Sequence, residues 1–149
     1  MTTDLKGPSE RQSDGEPEMT DGKKVIAGLY YTKDHEWAKV EGDLVIVGIT
    51  DYAQNALHEI TFVEVNEAGT VIKAGEACGL VESMKASSDV FSPVSGEVVE
   101  TNRRLEDAPE IVNEDPYGEG WLFKIKPSNL QKELRSLMDS KAYQAHLPK

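Results

Sequence analysis

The chain has 149 residues and a formal net charge of −11 at pH 7, because 27 acidic residues outnumber 16 lysines and arginines. Such an acidic surface repels nucleic acid and anionic membranes, and no apolar run approaches the roughly 20 residues of a membrane-spanning helix. We therefore expect no nucleic acid and no membrane as a partner, and expect contacts with basic surfaces of other proteins instead.

Residues 1–24 are expected to form a disordered acidic and polar tail, and residues 25–149 a single domain. The tail is rich in glycine, proline and charged residues and lacks an apolar period, so it cannot bury enough surface to offset the entropy of ordering. It has neither the apolar core of a secretory signal nor the composition of a mitochondrial transit peptide. The single cysteine, Cys78, excludes an intramolecular disulfide, and together these features predict a cytoplasmic protein, which we expect to be a monomer.

From Leu29 onward the sequence is typical of a mainly β domain made of short strands. A β-branched run at 44–49 follows the turn signal Glu-Gly-Asp at 41–43, which predicts a hairpin. Thr50 is predicted to cap a short internal helix over residues 52–57. Strands are predicted over residues 35–40, 44–49, 60–65, 77–82, 87–91, 97–101 and 121–125.

The second half of the chain is predicted to contain a long connection and a C-terminal helix. Residues 102–120 form a long polar segment that contains two prolines, and no strand or helix is assigned to it. Ser128 is predicted to cap the helix, because apolar residues at 130, 134, 137 and 138 follow a helical spacing, and a further turn is expected near 142–146. Many short strands broken by Gly and Pro turns indicate a sandwich or barrel with surface helices.

The sequence contains no recognisable catalytic or metal-binding pattern. Its three histidines, His35, His58 and His146, are dispersed, and HExxH, CxxC, GxSxG and glycine-rich phosphate motifs are missing from the chain. One cysteine and scattered histidines do not predict a zinc site. We therefore assign no catalytic residue and no metal ligand, and expect a protein that is not itself an enzyme.

The most informative residue is Lys85, which lies between two predicted strands in the stretch VESMKASSDVFSPVSGEV. A lysine at the tip of a hairpin is exposed, and its amine can reach into the active site of another protein. Covalent attachment of a cofactor arm needs such a position, since the carrier supplies reach and the cofactor supplies the chemistry. A turn lysine is, however, usually plain surface charge, so its position alone leaves both interpretations open.

Four separated motifs resemble those of the glycine cleavage system H protein family, a lipoyl-carrier family. ESMKA at 82–86, with SPVSGEV at 92–98, resembles its lipoyl-lysine region. YTKDHEW at 31–37, VGITDYAQ at 47–54 and NEDPYGEGW at 113–121 resemble three further motifs, in order and with compatible spacing. The resemblance covers roughly residues 29–147 and implies a barrel-sandwich hybrid fold of the lipoyl/biotinyl type, with a short internal helix and a C-terminal helix.

The resemblance also implies a cofactor, a cargo and a set of partners. Lys85 would carry lipoate through an amide bond, attached by a lipoate ligase or by lipoyl-assembly enzymes. The lipoyl group would accept the aminomethyl group of glycine from glycine decarboxylase and deliver it to aminomethyltransferase. Dihydrolipoamide dehydrogenase would then reoxidise the lipoyl group, so that the protein would serve glycine catabolism as a non-catalytic carrier.

The resemblance also implies a cleft that shelters the loaded arm, and two residues match family positions linked to it. The cargo amine is cationic, and carboxylates are suited to hold it, so Glu36 and Asp89 are the candidate cargo ligands. Without the resemblance, each would be interpreted as an ordinary solvated acid. His35 is either a wall of the cleft or simply a strand residue.

Departures from the family pattern leave alternatives open. Met84 stands where the family usually has valine, and a methionine before the target lysine is typical of biotin carriers, although the flanking motifs favour lipoate. His58 stands where many relatives have glycine. A second interpretation is therefore an H-like lipoate-binding protein that carries sulfur intermediates in cytoplasmic sulfur oxidation, with heterodisulfide-reductase-like partners. A third is an unmodified interaction domain in which Lys85 is merely exposed.

Overall fold

The computed structural model describes residues 24–148, which form nine strands and five short helices. The predicted tail, residues 1–24, lies outside the described residues except for Lys24. In chain order the elements are β1 (Tyr30–Tyr31), β2 (Glu36–Glu41), β3 (Leu44–Ile49), α1 (Asp51–Leu57), β4 (Ile60–Val65), β5 (Val71–Ile72), β6 (Ala77–Ser83), β7 (Ser87–Phe91), β8 (Gly96–Thr101), α2 (Arg104–Asp107), α3 (Ile111–Glu114), β9 (Phe123–Pro127), α4 (Leu130–Leu134) and α5 (Ser140–His146).

The strands form two sheets whose neighbouring strands are all antiparallel. The larger sheet has the order β1-β2-β3-β9-β8-β5, and the smaller has the order β4-β6-β7. The predicted hairpin at 41–43 joins β2 to β3, and Gly42 there has a φ of +61°, a backbone conformation that glycine adopts without strain. The mainly β fold with a short internal helix and a C-terminal helix is confirmed.

The apolar faces of both sheets contribute to one main core. Val45 and Ile125 from the larger sheet and Val63, Val81 and Val90 from the smaller one are all nearly inaccessible to solvent. This pattern follows from the period of two in each strand, which places alternate residues on the buried face. A second, aromatic cluster contains Val25, Leu29, Tyr31, Trp37, Tyr143 and Leu147.

The segment 102–120 is more regular than the sequence predicted. It contains α2 and α3, which bury Leu105 and Val112 respectively in the main core. Each helix has four residues, so each offers a single fully buried apolar side chain and no helical repeat that a sequence pattern could detect. The sequence therefore assigns neither of these two helices.

The predicted C-terminal helix is present but shorter than expected, because positions 137 and 138 fall outside α4, and the turn expected near 142–146 is a helix of its own. Helix α4 begins at Leu130, with Asn129 at the N-cap position instead of Ser128, and it ends at Leu134. Met138 then pairs with Tyr31 through two backbone hydrogen bonds of 2.8 and 2.9 Å. The chain turns helical again in α5, where the Asp139 side chain accepts a hydrogen bond from the Ala142 N–H at 2.8 Å.

Two strand boundaries differ from the prediction in ways that affect the site. The last strand, β9, begins at Phe123 and not at residue 121, and β2 begins at Glu36 and not at His35. The φ of His35 is +74°, which takes this residue out of the extended conformation. None of the helices found between residues 24 and 148 is both long and apolar enough to cross a lipid bilayer.

Candidate functional site

Lys85 lies, as the sequence predicted, in the turn between β6 and β7. The last paired residues of this hairpin are Glu82 and Ser87, and the side chain of Lys85 is exposed. The hydroxyl oxygen of Ser83 accepts hydrogen bonds from the N–H groups of both Lys85 and Ala86, each at 3.2 Å. The Ser83 N–H also donates to the Ala86 carbonyl at 2.8 Å. The backbone of the turn is therefore tied to one strand end while the lysine side chain extends into solvent.

The surroundings of Lys85 fit covalent attachment of a carboxylic acid cofactor through an amide. Within residues 24–148, no hydrogen bond or ion pair engages the Lys85 amine, so nothing there competes with an incoming enzyme for it. The same residues contain no group of three or more His, Cys, Asp or Glu side chains that could hold a metal ion.

Glu36 is buried, so its interpretation as a solvated acid is wrong. Only 1% of the residue is exposed, and both carboxylate oxygens are hydrogen-bonded. Oε1 accepts from the Thr32 hydroxyl at 2.5 Å, and Oε2 accepts from the Phe91 N–H at 2.9 Å. Burial raises the pKa of Glu36 to about 7, because the charged carboxylate loses its hydration, and the two hydrogen bonds only partly oppose this shift.

His35 is half-buried beside Glu36 and is held by helix α5. Its Nδ1 lies 2.8 Å from the hydroxyl of Tyr143, and that hydroxyl lies 2.7 Å from the Thr50 hydroxyl. The His35 carbonyl also accepts the Thr50 N–H at 3.0 Å, and the imidazole ring packs 4.5 Å from the ring of Tyr52. Burial lowers the pKa of His35, and the positive charge of the nearby His146 lowers it further.

Asp89 stands apart from the other two cleft candidates. It is exposed on β7, opposite Leu80 on β6, and no hydrogen bond in the described part of the chain joins it to Glu36 or His35. It lies two residues before Phe91, whose N–H holds Glu36. The structure thus brings Glu36 and His35 together. Asp89 is exposed on β7, the strand that also contains Phe91.

Sequence reasoning missed the residues that hold Glu36 and His35 in place. Thr32 belongs to the motif YTKDHEW, where a hydroxyl four residues before a buried acid was a usable signal. Tyr143 lies 108 residues from His35, in a segment predicted only as a turn, and a single sequence offers no signal for that contact.

Two β-sheets that share one core and present an exposed lysine in a hairpin turn are typical of the lipoyl- and biotinyl-carrier class of protein. The model of the glycine cleavage H-protein family matches residues 29–149. The chain belongs to the glycine cleavage H-protein family.

Relatives and a solved structure agree with this assignment. The "Probable glycine cleavage system H protein" of Thermococcus gammatolerans is 57% identical over 125 residues, which cover 83% of this chain and 92% of the relative. The "Glycine cleavage system H protein" of Thermus thermophilus is 55% identical over 115 residues, covering 77% and 89%. The crystal structure of a glycine cleavage system H protein from Mycobacterium marinum superposes with a TM-score of 0.74 at 38% identity, covering 81% of this chain and 97% of that one.

Proposed function

We propose that this protein is the lipoyl carrier of a glycine cleavage system and that lipoate is joined to Nζ of Lys85 by an amide bond. The observation that supports this most directly is the exposed Lys85 in a tied hairpin turn, within the sequence ESMKA, in a chain of the H-protein family. The carrier is not itself catalytic. It works in the cytoplasm, as expected from its lone cysteine.

The attached group supplies a disulfide that accepts the aminomethyl group of glycine and carries it between enzymes. The partners are glycine decarboxylase, aminomethyltransferase and dihydrolipoamide dehydrogenase, together with the lipoate ligase or lipoyl-assembly enzymes that modify Lys85. The role of this chain is to present Lys85 to each of them on a fixed hairpin.

Two of the three cleft candidates, Asp89 and Glu36, contribute carboxylates, and the third, His35, contributes an imidazole ring. Asp89 offers an exposed carboxylate four residues after Lys85, suited to bind a cationic cargo amine. Glu36 accepts a hydrogen bond from the Phe91 N–H, two residues further along β7, and so fixes the backbone of the strand that carries Asp89. His35 forms the wall beside Glu36 and is itself fixed by Tyr143.

The alternative, a carrier of sulfur intermediates with heterodisulfide-reductase-like partners, is not favoured. The curated relatives described above bear the name glycine cleavage system H protein, and this chain is more than half identical to them. A sulfur carrier would use the same lysine and fold, so the cargo must be tested directly.

The attachment site is tested by the intact mass of the full chain purified from lipoate-replete cells of its own host. We expect one lipoyl group on the wild type, none on Lys85→Ala, and one on the matched control Lys73→Ala, which removes another exposed turn lysine. An unmodified wild type would contradict the proposal, and a biotin-sized increase in mass would assign the protein to biotin carriers instead.

The cargo is tested by mixing the lipoylated protein with glycine decarboxylase and carboxyl-labelled glycine. We expect exchange of the carboxyl carbon with bicarbonate, and no exchange with Lys85→Ala. If a competent H protein from another species supports exchange and this chain does not, the sulfur-carrying role replaces the proposal.

A further inference from the structure

The smaller sheet has an outward face that adjoins the Lys85 turn. Residues directly opposite each other in an antiparallel sheet share a face, and here Phe62 pairs with Glu82, and Glu82 with Ser87. Val63 and Val81, on the other face, are buried in the core. The outward residues, which we name the hairpin face, are Phe62, Glu64, Leu80, Glu82, Ser87 and Asp89.

Two large apolar side chains are exposed at or beside the hairpin face. Phe62 on β4 is 45% exposed, and Met84, immediately before Lys85, is 93% exposed. Exposed apolar side chains are common singly, but these two flank Glu82 and Lys85 at the same end of one sheet. Neither is needed for the core, so their positions call for another explanation.

The charge of the hairpin face has a single sign. The three strands carry the carboxylates of Glu64, Glu82 and Asp89 and contain no lysine, arginine or histidine. Lys85 is therefore the cation at the end of an acidic surface. A partner that fits this surface has apolar pockets for Phe62 and Met84 and basic side chains around them.

Acylation of the Lys85 amine indicates which partner must contact the hairpin face. An enzyme that acylates the amine has to approach within one lysine side chain of the turn backbone, so it must contact the residues beside Lys85. Enzymes that act at the far end of an attached arm can work from a greater distance. We propose that the hairpin face, with Met84 at its end, is the docking surface for the enzyme that acylates Lys85, an inference that rests on the proposed function.

The reaction at this surface is an acyl transfer to nitrogen. The neutral Lys85 amine attacks the carbonyl carbon of an activated acyl group, an acyl adenylate or an acyl thioester. The C–N amide bond forms, the bond to the activating group breaks, and the amine proton leaves with the released nucleotide or thiol. Met84 and Phe62 bind the enzyme and take no part in the bond changes.

The test measures acylation of the unmodified full chain by a bacterial lipoate ligase with lipoate and ATP, followed by intact mass. Met84→Ser and Phe62→Ser should each raise KM for the carrier about ten-fold with kcat unchanged, because each removes buried apolar contact. Glu64→Lys should raise KM at low salt. Met84→Leu should retain wild-type KM because it keeps an apolar side chain.

Matched controls lie on the larger sheet. Val71→Ser removes an apolar residue that is 78% exposed on β5, and Glu97→Lys reverses an exposed charge on β8. Both should behave as the wild type. The docking proposal is overturned if Met84→Ser, Phe62→Ser and Glu64→Lys all remain within two-fold of these controls. If the wild type itself is not acylated, the proposed function fails, and the docking proposal fails with it.

Discussion

Glu36 is an acid that the fold encloses between two hydrogen-bond donors on different strands or turns. The Thr32 hydroxyl and the Phe91 N–H leave neither of its oxygens to water. Burial of the Cys78 thiol raises its pKa, and the negative charge of Glu36 raises it further, which keeps Cys78 a neutral packed side chain. The protonation of Glu36 should therefore be visible in the stability of the whole protein.

Glu36→Gln tests the pH dependence of stability. Because the pKa of Glu36 is higher in the folded protein, the folded state binds more protons between pH 4.5 and about 7. The stabilisation from Glu36 is thus fully present below pH 4.5 and is lost as the pH rises through 7. Glutamine mimics the protonated acid, so the wild type should lose about 3 kcal/mol relative to the variant over this range.

The measurement is urea unfolding of both proteins at a series of pH values. Asp89→Asn is the matched control, since Asp89 is exposed and its substitution should leave the pH profile of the wild type in place. Parallel profiles for wild type and Glu36→Gln would contradict the prediction, because they would show that the pKa of Glu36 is the same in the folded and unfolded states.

The sequence could predict Lys85 at a turn but not the environment of Glu36. Turn chemistry and the alternation of apolar residues around Lys85 are local, so they survive in a single sequence. The burial of Glu36 depends on Phe91, which is 55 residues away, and on the positive φ of His35 beside it. Neither the contact with Phe91 nor the φ of His35 leaves a local pattern in the sequence. Without the family resemblance, Glu36 would therefore be interpreted as a solvated acid.

At the scale of elements, helix α5 is attached to the fold mainly through Tyr143, and His146 Nε2 adds a contact of 3.1 Å to the Lys33 carbonyl oxygen. Tyr143 stacks on Tyr31 with ring centroids 4.4 Å apart, and its hydroxyl bridges His35 and Thr50. Met138 extends the same attachment through its backbone pairing with Tyr31. The helical spacing of 130, 134, 137 and 138 predicted that the helix continues to residue 138, because a local pattern contains no information on the pairing of Met138 with Tyr31.

Tyr143→Phe tests the attachment of α5. The phenyl ring keeps the stack on Tyr31, but the buried Thr50 and the half-buried His35 lose the hydroxyl as a hydrogen-bond partner, so the free energy of unfolding should fall by about 1–3 kcal/mol. Chemical denaturation followed by circular dichroism measures the change. Tyr52→Phe is the control, because no hydrogen bond to the Tyr52 hydroxyl is found within residues 24–148, and an equal loss there would argue against the bridge.

The β2–β3 hairpin contains a close contact that its sequence explains only partly. A Cβ atom on Gly48 would lie 2.6 Å from the Trp37 ring, whose Nε1–H donates to the Pro116 carbonyl at 3.0 Å. The register pairs Gly48 directly with Trp37. The glycine is needed here for space, because any side chain would overlap the Trp37 ring.

Gly48→Ala should therefore destabilise the protein by about 1–3 kcal/mol through overpacking. Thermal unfolding measures the loss. In a Trp37→Phe background, which removes part of the indole, the same substitution should cost less. An equal loss of stability in the two backgrounds would show that the destabilisation does not arise from the contact with the Trp37 ring.

At the scale of the whole molecule, the charge of −11 acts on association more than on folding. An acidic carrier is steered toward basic enzymes, and salt screens that attraction over about 8–10 Å at physiological ionic strength. The acidic hairpin face concentrates this effect beside Lys85. The overall charge was evident from composition, but its arrangement on one face required the strand register.

Ionic strength tests the role of charge. Raising NaCl from about 50 mM to about 500 mM should lower kcat/KM for acylation of Lys85 by about ten-fold. Sucrose at matched osmolality is the control and should have a small effect. If salt leaves the rate unchanged, the association does not depend on electrostatic steering, and the acidic face contributes little to it.

The contact between Glu36 and the Phe91 N–H also bears on how the protein avoids binding to copies of itself. Strand β7 ends the smaller sheet, and an outermost strand offers unpaired N–H groups on which a foreign strand can assemble. Glu36 fills one of these donors from inside the molecule, and the charged Asp89 lies two residues away. A carboxylate bound at that point should interrupt an intermolecular ladder, so we expect this edge of the sheet to resist pairing with a second copy of the chain.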